Sequence, residues 1–243
     1  ARNAMSFSTS QSYAIAAAMD YLDQPITEKL VITSVGVDTP AQDKLRAGDE
    51  ILAANGVLMT TPQQVVDVVR SNPVGTALTF SLVRTDTKLD VVVTSSTRED
   101  DLLTEQDEAK IPYIGIGIDI SYSADYEIDF GVTGVGGPSA GTLFAIGIID
   151  KLTPGALTQG KIIAGTGTID PDGNVGEIGG IQQKLIGARD AGAVLFLAPA
   201  GNCDEVIGHI PDGLTVAAIE TLEDAMDEIE AFNAGATVTP CVK

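Results

Sequence analysis

Tryptophan is missing from this chain, histidine occurs once and cysteine twice, and no apolar run reaches the ~18 residues that a membrane-spanning helix needs. Each shortage closes off a class of function. With His209 as the only histidine, imidazole chemistry has one candidate, and a metal centre built from several histidines is excluded. Cys203 and Cys241 are too few and too far apart for a metal cluster, so they read either as idle thiols or as a disulfide tying the C-terminal tail to the last domain. Cations are scarce as well. Fourteen Lys and Arg face thirty-four Asp and Glu, a formal charge of −20 that repels phosphate backbones and anionic membrane surfaces. Nucleic acid is not an expected partner. No Gly-x-x-x-x-Gly-Lys-Ser/Thr loop occurs, so no ATP site is expected, and no metal or other cofactor is implied. No signal peptide is visible. The opening Ala1-Arg2-Asn3-Ala4-Met5 reads as a cloning remnant ahead of an internal start, which leaves room for an upstream anchor.

What is present suffices for a large core, since 44% of the 243 residues are hydrophobic, and two domains are expected. Apolar positions Tyr13, Ile15, Ala17, Ala18, Met19 and Leu22 predict a helix that ends before Pro25. Strands are expected at Leu30–Val35, into Leu52, at Ala77–Arg84 and at Leu89–Thr94. Asn55-Gly56 marks a hairpin, and Thr61-Pro62 opens a capped helix. The polar, acid-rich stretch before residue 111 reads as a linker. Beyond it, strands are expected at Tyr113–Ile120, Tyr126–Val132, Ile162–Ile169 and Val194–Ala198. Helices are expected from Ser139 to Leu152, from Ile181 to Ala191 and from Leu222 to Phe232. The expected partition is 1–23 remnant and helix, 24–97 small β-rich domain, 98–110 linker, 111–233 mixed α/β domain and 234–243 tail.

Gly137-Pro138-Ser139-Ala140-Gly141 fits the Gly-x-Ser-x-Gly pattern, in which small neighbours let the backbone turn sharply and present a hydroxyl. A serine at a helix start is also an ordinary cap. For a nucleophile, backbone amides around Gly137, Ser139 and Ala140 at a helix N-terminus suit an oxyanion. The hydroxyl then needs a base. One route runs through His209 with Asp170 or Asp190. The other is a lysine, and Lys184, in Ile178-Gly179-Gly180-Ile181-Gln182-Gln183-Lys184-Leu185, has the apolar neighbours to desolvate it. Working near neutrality requires its pKa to drop by about 3 from ~10.4, equivalent to roughly 4 kcal/mol. Asp170-Pro171-Asp172-Gly173-Asn174 lacks calcium-loop spacing and reads as a hairpin turn.

Three motifs in order resemble the proteolytic domain of the Lon protease family: Gly137-Pro138-Ser139-Ala140-Gly141, Ala164-Gly165-Thr166-Gly167-Thr168-Ile169, and Val175-Gly176-Glu177-Ile178-Gly179-Gly180-Ile181-Gln182-Gln183-Lys184. The resemblance implies a Ser139–Lys184 dyad, with Thr166 against the lysine amine. Two departures stand out: Val135-Gly136 replaces the family's charged pair before Gly-Pro-Ser, and Thr166-Gly167-Thr168 replaces Thr-Gly-Glu. The earlier segment Gln24–Ser96, with Thr39-Pro40-Ala41 and Leu45-Arg46-Ala47-Gly48-Asp49-Glu50-Ile51, looks like a PDZ domain, although no glycine-hydrophobic carboxylate loop precedes Leu30. Together these imply an α/β (α+β) protein: a PDZ-like domain followed by a Lon-like one, similar to bacterial membrane-anchored Lon-like proteases. That likeness implies an ATP-independent serine endopeptidase acting on unfolded or flexible polypeptides. It further implies an extracytoplasmic location at the cell membrane and a ring, possibly hexameric, of copies. The alternatives are a PDZ scaffold with an idle protease-like half and a Ser-His-Asp hydrolase using His209.

Overall fold

The structure, a computed structural model, describes residues 2–97, 111–132 and 136–242, with side chains from Ser6 onward. The expected linker, residues 98–110, and Val135 of the departing pair lie outside the described residues. Two compact units form, Glu28–Ser121 and the remainder, Ala1–Thr27 with Tyr122–Lys243. The mixed α/β class expected from the sequence is what is found.

The chain enters through helix α1 (Arg2–Tyr21). Strands β1 (Thr27–Val35), β2 (Glu50–Ala54), β3 (Val57–Leu58), β4 (Ala77–Arg84), β5 (Thr87–Thr94) and β8 (Ile116–Ser123) build one sheet in the order β5-β4-β2-β1-β8, with β3 on β2. Strands β6 (Ser96–Thr97) and β7 (Pro112–Tyr113) pair separately. Helix α2 (Pro62–Ser71) starts on a capping box in which Thr61 and Gln64 satisfy each other's backbone amides. It buries Val65 and Val69 against Leu78, Phe80 and Leu82. This strand-rich unit extends past residue 97 because β8 adds to β1.

One ionic pair is built into that core. Arg84 Nε and Nη2 donate to the two Asp49 oxygens at 2.7 and 2.6 Å, and the Arg46 amide donates at 2.8 Å. Burial pushes the Asp49 carboxyl up. The hydrogen bonds and guanidinium charges outweigh it and hold the group below its ordinary 3.8.

In the other unit, helices α3 (Gly141–Leu152), α4 (Ile181–Asp190), α5 (Cys203–Val206) and α6 (Leu222–Asn233) surround a parallel sheet ordered β13-β12-β9. Its strands are β9 (Ile163–Gly165), β12 (Leu195–Pro199) and β13 (Thr215–Ile219). A short hairpin of β10 (Thr168–Ile169) and β11 (Val175–Gly176) turns at Asp170–Asn174, where Asp170 accepts from the Asn174 amide. Helix α1 belongs here because its alanines, Ala14, Ala17 and Ala18, pack with Ala145 and Ile149 of α3 in one core. Small side chains let the two backbones approach closely.

Two local expectations are corrected. Residues Tyr126–Val132 form no strand, because Ile128 and Phe130 pack onto the core against α3, with Phe130 and Phe144 ring centroids 4.8 Å apart, rather than alternating across a sheet. The helix after Ser139 starts at Gly141, with Ala140 as its N-cap. The tail after α6 is held down: the Ala218 amide donates to the Thr239 carbonyl, and Cys241 is bonded to Cys203 with Cα atoms 5.0 Å apart.

Removing a buried carboxylate from its guanidinium leaves a charge without its counter-ion. Asp49→Ala should lower unfolding stability at pH 7 by about 1 to 2 kcal/mol in denaturant titration, since the Arg84 left behind is partly exposed. Because the folded pKa is depressed, this contribution is complete above the unfolded value near 3.9 and fades as pH falls through the folded one. A variant as stable as the parent at pH 7 would contradict the assignment.

Candidate active site

Gly137 takes a left-handed conformation, φ +85°, with open space where a Cβ would stand, so backbone shape and not crowding asks for glycine there. The chain then turns through Pro138 into Ser139, half-buried just ahead of α3. Close behind it runs the segment that leaves β9. The Ser139 carbonyl accepts from the Gly167 amide and from Thr166 Oγ1, both at 2.9 Å. Glycine at 167 permits this approach: a Cβ there would come within 2.5 Å of Thr142 Oγ1.

Helix α4 brings Lys184 to the same point. Its Nζ lies 2.9 Å from Ser139 Oγ and 2.9 Å from Thr166 Oγ1. Ile181 and Leu185, on the same helix, are fully buried and fix its face. Burial lowers the pKa of the amine from its ordinary 10.5. Hydrogen-bond inventory then sets the direction of each contact. The Thr166 hydroxyl proton is committed to the Ser139 carbonyl, so its oxygen can only accept from Lys184. A neutral amine that donates to Thr166 keeps its lone pair for the Ser139 proton.

His209 is exposed, and its ring nitrogen lies 3.4 Å from Gln182 Nε2. Asp170 is used by the Asn174 turn, and Asp190 pairs with Arg189 at 2.8 Å. The Ser-His-Asp arrangement is therefore not assembled, since these carboxylates serve local turns and pairs instead of orienting an imidazole.

The sequence reading missed two features. Ser10 on α1 is buried and donates to the Pro138 carbonyl at 3.1 Å, so helix α1 reaches the turn that carries Ser139. Nothing in its local sequence signals this. The second feature, in the strand-rich unit, is a groove between Val65, Val69 and Arg70 of α2 and the segment Ile111–Ile118. A glycine-hydrophobic segment, the pattern absent before Leu30, lines this groove. It is Tyr113-Ile114-Gly115-Ile116, with Gly115 at φ +83° and pressed onto Thr39. The run Ile114-Gly115-Ile116-Gly117-Ile118 was the available signal.

The burial of Lys184 has a direct readout. NMR titration of its side-chain nitrogen should give a midpoint below 10.5, whereas a midpoint at or above 10.5 would contradict the geometry. The unfolded chain holds this proton more tightly, so between the folded and unfolded pKa values stability should rise with pH.

A model of the Lon protease (S16) C-terminal proteolytic domain matches residues 26–231. Lon protease 2 of Bacillus subtilis is 32% identical over 109 residues, 44% of this chain and 19% of that protein. Lon protease of Clostridioides difficile is 27% identical over 228 residues, 87% of this chain and 27% of that protein. The chain thus spans about a quarter or less of the length of these relatives. A crystal structure of the PDZ domain of an SdrC-like protein from Listeria monocytogenes is 24% identical, covering 37% of this chain and 86% of that one, with a TM-score of 0.32. With the family model covering most of its length, the chain belongs to the Lon protease (S16) proteolytic-domain family of serine peptidases.

Proposed function

We propose that the protein is an ATP-independent serine endopeptidase in which Ser139 is the nucleophile and Lys184 the general base. The observation that carries this reading is the single amine within 2.9 Å of both Ser139 Oγ and Thr166 Oγ1. Lys184 Nζ takes the Ser139 proton as Oγ bonds to the scissile carbonyl carbon. Backbone amides of the Gly137–Ala140 turn, at the N-terminal end of α3, hold the developing oxyanion. Collapse breaks the C–N bond, and Lys184 returns the proton to the leaving amine. Water, deprotonated by the same amine, then attacks the acyl-enzyme ester and restores Ser139. Thr166 touches the amine and orients it.

Substrates that are already unfolded or flexible belong to this reading, because an extended chain can lay its scissile carbonyl against the half-buried Ser139. The apolar groove beside α2 supports a peptide-recruiting or gating role for the strand-rich unit, with an extended chain end as ligand. The Cys203–Cys241 bond suits an oxidising compartment, consistent with an extracytoplasmic enzyme held at the membrane by an anchor upstream of residue 1. Assembly into a ring of like copies belongs to the same reading.

Cleavage of a flexible fluorogenic peptide tests the dyad. Ser139→Ala should reduce the rate to background, and Lys184→Ala should lose about 10²- to 10⁴-fold. Lys184→Arg should be as inactive as Lys184→Ala, because a guanidinium keeps the charge but cannot accept a proton. His209→Ala should match the parent. An active Lys184→Arg, or a His209→Ala enzyme that loses its rate, would sink the reading.

A further inference from the structure

Asn202 is a buried polar side chain that the chemistry above does not use. It is 1% exposed and stands between the end of β12 and α5. Its carbonyl oxygen accepts from the Ile178 amide at 2.9 Å, while its Nδ2 donates to the Ile178 carbonyl at 2.8 Å and to Glu205 Oε1 at 3.0 Å. One side chain thus closes both backbone groups of Ile178, as a neighbouring strand would.

The position of Ile178 gives this clamp its meaning. Two glycines separate it from α4, and Gly180, the N-cap, is left-handed at φ +74° and offers no side-chain cap. The entry to α4 has no polar fixture of its own. Lys184 sits one turn inside, so an error in the entry angle is carried directly to the amine. The same corner grips α4 again, with Gln182 Nε2 donating to the Glu205 carbonyl at 3.2 Å and Ile181 and Leu185 packed with Val206. The next residue, Cys203, anchors the corner to the tail.

We propose that Asn202 is a positioning residue for catalysis: its two-point clamp on Ile178 sets the register of α4 and thereby holds the Lys184 amine at Ser139. The inference rests on the dyad reading above. An unclamped α4 would let water reach Lys184, and the amine would regain its ordinary basicity. The charged groups on α4 and on the elements packed against it are Glu177 ahead of the helix, Arg189 and Asp190 paired at its end, Asp204 and Glu205 on α5, and His209 near Gln182. Among the described residues none forms an ion pair with Lys184, whose lowered basicity has burial as its cause.

The test measures peptide cleavage against pH for the parent, Asn202→Ala, Asn202→Asp, Glu205→Ala and Lys184→Ala, with circular dichroism and melting of each. In Asn202→Ala, kcat at pH 7 should fall between about 10- and 100-fold with KM unchanged, and the midpoint of the rising limb should move to higher pH. Asn202→Asp keeps the acceptor for the Ile178 amide but sets a carboxylate oxygen against the Ile178 carbonyl and Glu205 Oε1, and should lose at least as much as Asn202→Ala. A purely structural role would lower the melting temperature and leave the midpoint in place. If the folded Asn202 variants keep the parent's midpoint and kcat while Lys184→Ala is inactive, the positioning role is overturned and the dyad stands. If Lys184→Ala cleaves like the parent, both fall. Should neither Asn202 variant fold, Glu205→Ala, at an exposed position, decides: a smaller upward shift supports the clamp, and a superimposable profile overturns it.

Discussion

A hydroxyl carries one proton, and Thr166 commits its own to the carbonyl of Ser139. That commitment orders the rest of the site. With the proton spent, the Thr166 oxygen can only receive a hydrogen from Lys184, and the amine lone pair is left facing Ser139 Oγ. The same bond, with the Gly167 amide beside it, ties the nucleophile turn to the segment leaving β9. Thr166 is 1% exposed, so water does not compete for these contacts. A small apolar residue there would break the orientation of the amine and the anchorage of the nucleophile at once.

Chemistry and architecture meet at two helix entrances. Ser139 precedes α3, whose N-terminal dipole favours negative charge, and Lys184 is one turn into α4, between the buried Ile181 and Leu185, where burial disfavours positive charge. The two environments push in opposite directions, one favouring negative charge and the other lowering the basicity of an amine. Helix α1 backs the first entrance through Ser10, and the corner between β12 and α5 backs the second. The Cys203–Cys241 bond adds a covalent tie at that corner.

Much of this was legible in the sequence, and the physical reason is locality. Gly137 and Ser139 sit in a short motif whose small residues a sharp backbone turn requires, while Thr166 and Lys184 stood out through the resemblance of three ordered motifs to the Lon family. The scarcity of histidine narrowed the choice of base. Ser10 and Asn202 left no such trace, because a serine inside an alanine-rich helix and an asparagine before a cysteine look like any polar residue until the fold brings Pro138 and Ile178 to them. Tyr126–Val132 alternates like a strand, yet Ile128 and Phe130 pack, partly buried, against a helix and not across a sheet. Strand β13 has no sequence signal because Val216–Ile219 is a four-residue apolar run with too few residues to show a period.

The central claim is that Ser139 becomes covalently acylated because Lys184 takes its proton. Mass mapping after reaction with a peptidyl phosphonate, an electrophile that traps activated serines, addresses it most directly. The account predicts a single adduct on Ser139, forming faster as pH rises toward the lowered pKa of Lys184 and absent from Lys184→Ala. An adduct on another residue, or labelling of Ser139 that proceeds unchanged without Lys184, would contradict it.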